Sequence, residues 1–240
     1  MVKFLVDNIY LSFADDTILR QRIGIPMGTN SAVYIANLFC FTYEYEFVAR
    51  CVEKKKFDIL EKFRHTLRFV DDLLSANNSL FKSYLYTSQV RDGIKGMYPP
   101  FLTLKCEQES KKEVSFLDVL VSVNNNVFKT EIYDKREHPP LSRVNQVKYP
   151  HPTCFLSKRS KYGIVTSRLH AFGRICTHKC DFISRTRIFL AIFLGRGYTR
   201  RDVEFKIKSF LKKTPLDFPV PNIGSFTKML LKDLILVHTE

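Results

Sequence analysis

The spacing of apolar positions changes several times along this chain, and each change marks an element. From about Asn30 to Lys54 an apolar stretch rich in Ala, Leu, Phe and Glu follows a Gly/Pro turn at Gly24–Gly28 and stops at three consecutive lysines. That composition, with Asn30 and Ser31 at its start, predicts a long helix. Residues 66–70 and 73–76 are two short strand-like runs with Asp71 and Asp72 between them, closed by Asn77 and Asn78, which predicts a hairpin. Residues 80–97 read as a helix broken by Tyr98, Pro99 and Pro100. Strands are expected at Leu102–Glu107, Val114–Val123 and Val127–Tyr133. The triplet Asn124 to Asn126 tolerates the left-handed backbone of a tight turn and would join the last two.

Beyond the looser linker from His138 to Pro152 the spacing becomes helical. Tyr162, Val165, Leu169, Phe172 and Cys176 step by three or four and share a face, with Arg168, Arg174 and Lys179 off it. A second helix is expected over Phe182–Leu194. A third starts at Thr199, where Asp202 completes capping-box spacing, and buries Val203, Ile207, Phe210 and Leu211. Pro215, Pro219 and Pro221 form a linker, and a last amphipathic helix begins at Ser225. The pattern is α+β: a mixed sheet-and-helix region over 1–137, a basic all-α region over 138–214, and a linker with a terminal helix over 215–240.

Charge sharpens this division. The chain carries 38 Lys and Arg against 24 Asp and Glu. Between Leu141 and Thr214 there are 17 basic residues and three acidic ones (Asp181, Asp202 and Glu204), so that segment holds the whole excess of +14 and the remainder is neutral. A basic stretch joined to a neutral one points to a polyanionic partner, nucleic acid first and an anionic membrane surface second. The longest apolar run, Ile188 to Leu194, is far below the ~20 residues needed to span a bilayer, and the N-terminus lacks signal-peptide character. A soluble chain with no membrane partner is expected. Six cysteines scattered through apolar segments suit a reducing compartment. The run Cys176 to Cys180 reads as a continuing helix, and its spacing does not suit zinc.

Paired carboxylates at a turn are the sharpest chemical feature. On a straight strand adjacent side chains face opposite ways, whereas at a turn Asp71 and Asp72 can converge. Two such anions repel unless a divalent cation offsets them, and Mg²⁺ prefers carboxylate oxygens combined with substrate phosphates. Alone this string is weak; its surroundings strengthen it. The segment from Gln21 to Asn30, the long helix with Ala32, Ala36 and Asn37, and Phe69-Val70-Asp71-Asp72 together resemble reverse transcriptases. Tyr98 to Pro100, Phe116 to Val119 and Lys129 to Lys135 are similar to strands that follow in Penelope-like retroelement enzymes. Tyr162 to Val165 and Arg174 to Cys176 are similar to their thumb.

The resemblance covers about Tyr10 to Leu211 and implies a partial polymerase palm over 1–137 followed by a thumb-like region. It implies RNA-directed DNA polymerase activity with Mg²⁺ or Mn²⁺, an RNA template and a DNA primer as partners, and intracellular, nuclear action. Asp71 and Asp72 would be catalytic metal ligands, with Gly24, Pro26, Gly28 and Asn30 shaping the template and nucleotide loop. Phe116, Leu117 and Asp118 would form the primer grip. Lys105, on the strand expected before it, is either a general acid for pyrophosphate or an ordinary solvated strand lysine. Arg168, Arg174, Lys179, Arg200 and Arg201, on polar faces or at a helix start, are candidates for phosphate contact.

The family's third carboxylate lies on a strand upstream of the glycine loop, four and five residues before an aromatic pair. Asp7 is followed at those positions by Leu11 and Ser12, a poor match. The upstream strand and fingers are expected to be missing, as in an N-terminally truncated element, and two carboxylates would hold metal weakly. The alternative is a non-catalytic nucleic-acid-binding module derived from a reverse transcriptase.

Overall fold

A computed structural model describes residues 3, 8–13, 17–25, 28–107, 110, 112–144 and 147–235. The chain forms two compact units, Met1–Cys106 and Glu107–Glu240. The fold is α+β, with small antiparallel sheets and six α-helices among the described residues.

The first unit includes a hairpin, β1 (Tyr10–Phe13) and β2 (Thr17–Arg20), with β2 exposed along its length, and leads through the glycine loop into α1 (Ala32–Glu53). Helix α1 is the expected long helix. Its side chains Cys40, Tyr43, Phe47 and Cys51, spaced by three and four, face a core with Ile59 of α2 (Phe57–Phe63), Tyr84, Ile94, Met97 and Tyr98. A second stripe on α1, Tyr34, Leu38, Phe41, Tyr45, Val48 and Val52, alternates steps of four and three and is exposed. A helix apolar on both sides has the composition of a buried element. Strands β3 (Thr66–Phe69) and β4 (Asp72–Ser75) form the expected hairpin.

Residues 80–97 correct the helical expectation. Phe81–Tyr84 is one 3₁₀ turn, followed by β5 (Val90–Arg91) and β6 (Ile94–Lys95). The turn between these strands is Asp92-Gly93, both at positive φ (53° and 74°), the pairing that matches the twist of a two-residue hairpin. Tyr84 fixes this turn by donating its hydroxyl hydrogen to Asp92 at 2.8 Å. Burial, with that bond adding to it, pushes the Tyr84 phenol up to about 12. The strand expected over Leu102–Glu107 does not form among the described residues. The Leu104 amide donates instead to the Tyr86 hydroxyl at 3.0 Å, so a side chain takes the place of a strand partner.

The second unit begins with one meander, β7 (Glu113–Phe116), β8 (Val119–Asn124) and β9 (Val127–Ile132). The single strand expected at Val114–Val123 is divided by a turn at Leu117-Asp118, while Asn125 and Asn126 take the anticipated left-handed turn. This sheet, grouped by sequence with 1–137, lies in the same compact unit as the helices α3 (Lys158–Ile175), α4 (Lys179–Gly195), α5 (Arg200–Lys213) and α6 (Ile223–Leu231). Their shared core takes Tyr162, Val165, Leu169, Phe172 and Cys176, the stripe read from sequence, together with Val203, Ile207 and Phe210. Each fully buried aliphatic side chain here contributes about 1.5–3 kcal/mol.

Local details differ from expectation. The stretch Cys176 to Cys180 is no continuous helix: α3 ends at Ile175 and α4 starts at Lys179. Thr177 exchanges backbone and side-chain hydrogen bonds with Thr130 of β9 (2.7–3.0 Å), which pulls the chain onto the sheet edge and interrupts the helix. Thr199 does cap α5, without a side-chain cap bond. Helix α6 starts two residues before Ser225, because Asn222 accepts the Ser225 amide at 2.8 Å.

Candidate functional site

The β3–β4 hairpin closes through a two-residue turn, Val70-Asp71, with Phe69 paired to Asp72. Val70 sits at φ 54°, a left-handed conformation that a β-branched residue resists. Such strain persists only where surrounding contacts fix it. The turn sets Asp71 and Asp72 side by side in sequence at the open tip, both exposed and neither in an ion pair among the described residues. Their oxygen chemistry suits Mg²⁺ or Mn²⁺. No third acidic, histidine or cysteine side chain joins them among the described residues, so the ligand count of a two-metal site is not met there. Asp7 and Pro26 lie outside the described residues.

Arg68 supplies the contacts that fix the turn. On β3 the usual alternation is inverted: Thr66 and Arg68 point inward, while Leu67 and Phe69 are 56% and 55% exposed. The Arg68 guanidinium donates to both oxygens of Glu44 on α1 (2.5 and 3.2 Å), to the Asn37 side chain and carbonyl (2.6 and 3.2 Å), and to the Val70 carbonyl (3.4 Å). Tyr98 donates its hydroxyl hydrogen to the same Glu44 at 2.5 Å. Its bond to Glu44 raises the Arg68 pKa, and burial foremost raises that of the Tyr98 phenol. Asn37 belongs to the helix motif and Tyr98 to the Tyr98–Pro100 motif read from sequence; Arg68 and Glu44 belong to no motif read there. An arginine flanked by two outward-facing apolar residues on a strand is the signal that marks them.

The glycine loop feeds the first turn of α1. Gly24 and Gly28 both lie at φ 93°, so the backbone itself requires glycine at these positions, apart from any close approach to a ligand. Gly24, Gly28 and Asn30 are exposed. Helix α1 thus connects this loop to the hairpin through Asn37 and Arg68. Phe116, Leu117 and Asp118, the residues expected at a primer grip, occupy a second strained hairpin in the other unit: Phe116 pairs with Val119, Leu117 sits at φ 54° and Asp118 is exposed. Phe69-Val70-Asp71 and Phe116-Leu117-Asp118 share a Phe-aliphatic-Asp sequence and the same positive φ at the aliphatic residue. Lys105 is exposed on irregular backbone, not on a strand.

The five basic candidates divide. Arg174 and Arg201 are exposed. Arg200 donates to the Leu231 carbonyl at 2.8 Å, and Lys179 donates to the Pro219 carbonyl at 3.3 Å beside the Phe218 and Phe226 rings. Arg168 is half-buried in the wall of a cavity. No helix among the described residues is long and apolar enough to cross a membrane. Comparison with known protein families, curated proteins and solved structures yields no match to this chain.

Proposed function

We propose that this chain is a reverse transcriptase domain fragment of a Penelope-like or closely related retroelement: part of the palm of an RNA-directed DNA polymerase, with a basic helical thumb. The observation that carries this reading is the hairpin tip. A strained turn presents two carboxylates to solvent, locked through Arg68 to the helix that also bears the glycine loop. Bound there, Mg²⁺ or Mn²⁺ would activate the primer 3′ oxygen and stabilise leaving pyrophosphate. Asp71 and Asp72 would hold the metal, Arg68 and Glu44 orient the tip, and Gly24, Gly28 and Asn30 would leave room for template and nucleotide. The open apolar stripe on α1, with Leu67 and Phe69 exposed on β3, supports an incomplete palm, since an added strand would cover such surfaces. Nuclear action belongs to the same reading.

A second reading is a non-catalytic nucleic-acid-binding module of the same descent, favoured by the lack of a third carboxylate beside the pair among the described residues. Primer extension on an RNA template with Mg²⁺ or Mn²⁺ tests the first. Trace product at most is expected, vanishing in Asp71→Ala/Asp72→Ala. Product that survives in the double variant contradicts the assignment of the hairpin. A complete absence of product, with hybrid binding retained, favours the second reading.

A further inference from the structure

Six apolar side chains on α1, Tyr34, Leu38, Phe41, Tyr45, Val48 and Val52, are each 45–77% exposed. Their steps of four, three, four, three and four make a strict 3.5-residue repeat, the spacing of a coiled-coil seam. A helix that faces only its own core needs one apolar stripe, and Cys40, Tyr43, Phe47 and Cys51 already supply it. At 3.6 residues per turn the six exposed residues fall within about 80° of arc, on a face apart from that stripe. Charge is kept off this face. The charged residues of α1 are Glu44, Glu46, Arg50 and Glu53. Glu46, Arg50 and Glu53 lie about 100° or more from the centre of the seam. Glu44, at one edge, is already committed to Arg68 and Tyr98. The opposite edge carries the small residues Thr42 and Ala49, which let another backbone approach.

We infer that α1 pairs antiparallel with α1 of a second copy of this chain, forming a two-fold symmetric dimer. Bulk along the seam selects that direction. In a parallel pair each residue meets itself, so tyrosine crowds tyrosine at one end and valine faces valine across a gap at the other. In the antiparallel pair Tyr34 meets Val52 of the second copy, Leu38 meets Val48 and Phe41 meets Tyr45, so all six positions are filled and large residues face small ones at the outer four. The same direction opposes the two helix dipoles and holds the two Lys54–Lys56 runs at opposite ends. The six side chains expose roughly 650 Å² per copy, so a pair covers about 1,300 Å², within the range of stable specific interfaces. The proposed incomplete palm leaves this stripe open. Pairing through it needs neither metal nor nucleic acid, so its failure and that of the polymerase reading are told apart.

Sedimentation equilibrium of the full chain, in EDTA and without nucleic acid, tests it. A species of twice the 28.1 kDa chain mass is expected at micromolar concentration. Leu38→Glu sets a carboxylate against Val48 of the second copy and is expected to weaken self-association at least tenfold. Adding Val48→Lys brings opposite charges face to face in the antiparallel register alone, and Leu38→Glu/Val48→Lys is expected to recover most of that loss. In a parallel pair the introduced carboxylates meet each other and no recovery follows. Phe128→Ala, which removes an exposed apolar residue from the other unit, is expected to change self-association less than twofold. A chain that stays at 28.1 kDa, whether or not it partitions onto lipid vesicles, overturns the dimer, as does a mass above two copies. Self-association undiminished in Leu38→Glu overturns the seam, and loss without recovery in the double variant overturns the antiparallel register. If Leu38→Glu does not fold, Val48→Ala against Leu38→Ala still decides: each is expected to weaken the dimer at least threefold, and no weakening in either overturns it.

Discussion

Val70 and Leu117 pose one problem at the residue scale: an aliphatic side chain in a conformation that glycine takes without strain. A residue held in such a region costs about 1–3 kcal/mol. Replacing it with glycine recovers that strain, less the ~0.5–1 kcal/mol of backbone entropy that glycine adds to the unfolded chain. Val70→Gly should therefore stabilise the protein by about 1 kcal/mol in urea titration; a loss of stability would contradict the strain argument. The strained turns could not be read from composition, because valine and leucine give no turn signal. The pair Asp71 and Asp72 could be read, since two adjacent acids break an otherwise apolar run and strands bury such charges only at high cost. The converse error fell at Asp92-Gly93, a strong hairpin signal that the surrounding helix-compatible residues outweighed.

At the scale of elements, helices were more legible than strands. Helices α1, α3, α4 and α5 carry long periodic stripes, and each formed within a few residues of its expected bounds. The short segments after Tyr84 depend on where backbone groups find partners, as at Leu104 and Thr177, and periodicity does not report that. Two element contacts give predictions. Arg68 joins β3 to α1 through hydrogen bonds to a charged group in a partly buried setting, so Arg68→Ala should cost about 2–3 kcal/mol. In a double-mutant cycle with Glu44→Ala, most of that cost should be shared; simple additivity would deny the clamp. Asp134 joins β9 to the segment after it. Burial alone would raise its carboxyl pKa, but the Arg136 bonds and the Lys148 charge outweigh burial and hold it well below the usual carboxylate range. A carboxyl depressed in the folded state adds stability above its unfolded value of about 3.9, and loses it as pH falls toward the folded value. Asp134→Asn should thus be destabilising at neutral pH, and the difference from the unmodified chain should narrow as pH falls from about 5 to about 2. A difference constant across that range would contradict the assignment.

For the whole molecule, two separate cores and one basic segment define the behaviour. Leu169 is fully buried in the second core, and Leu169→Ala should destabilise that unit by about 2–5 kcal/mol in urea titration, leaving the unit around Phe47 intact; an equal loss in both would contradict separate cores. The division of charge was legible from the chain alone. The involvement of Lys179 and Arg200 in internal bonds was not, because side-chain donation to distant carbonyls leaves no local pattern. Arg174, Arg200 and Arg201 are the exposed members of the set; Arg200 donates to the Leu231 carbonyl, so Arg174 and Arg201 carry the claim that the helical region grips a template–primer hybrid. The most direct test is equilibrium binding of an RNA–DNA hybrid across salt. Counterion release predicts that affinity falls by about tenfold or more between ~50 and ~200 mM monovalent salt, less steeply in Arg174→Gln/Arg201→Gln. An affinity unchanged over that interval, or weaker than binding to anionic vesicles, would contradict the account.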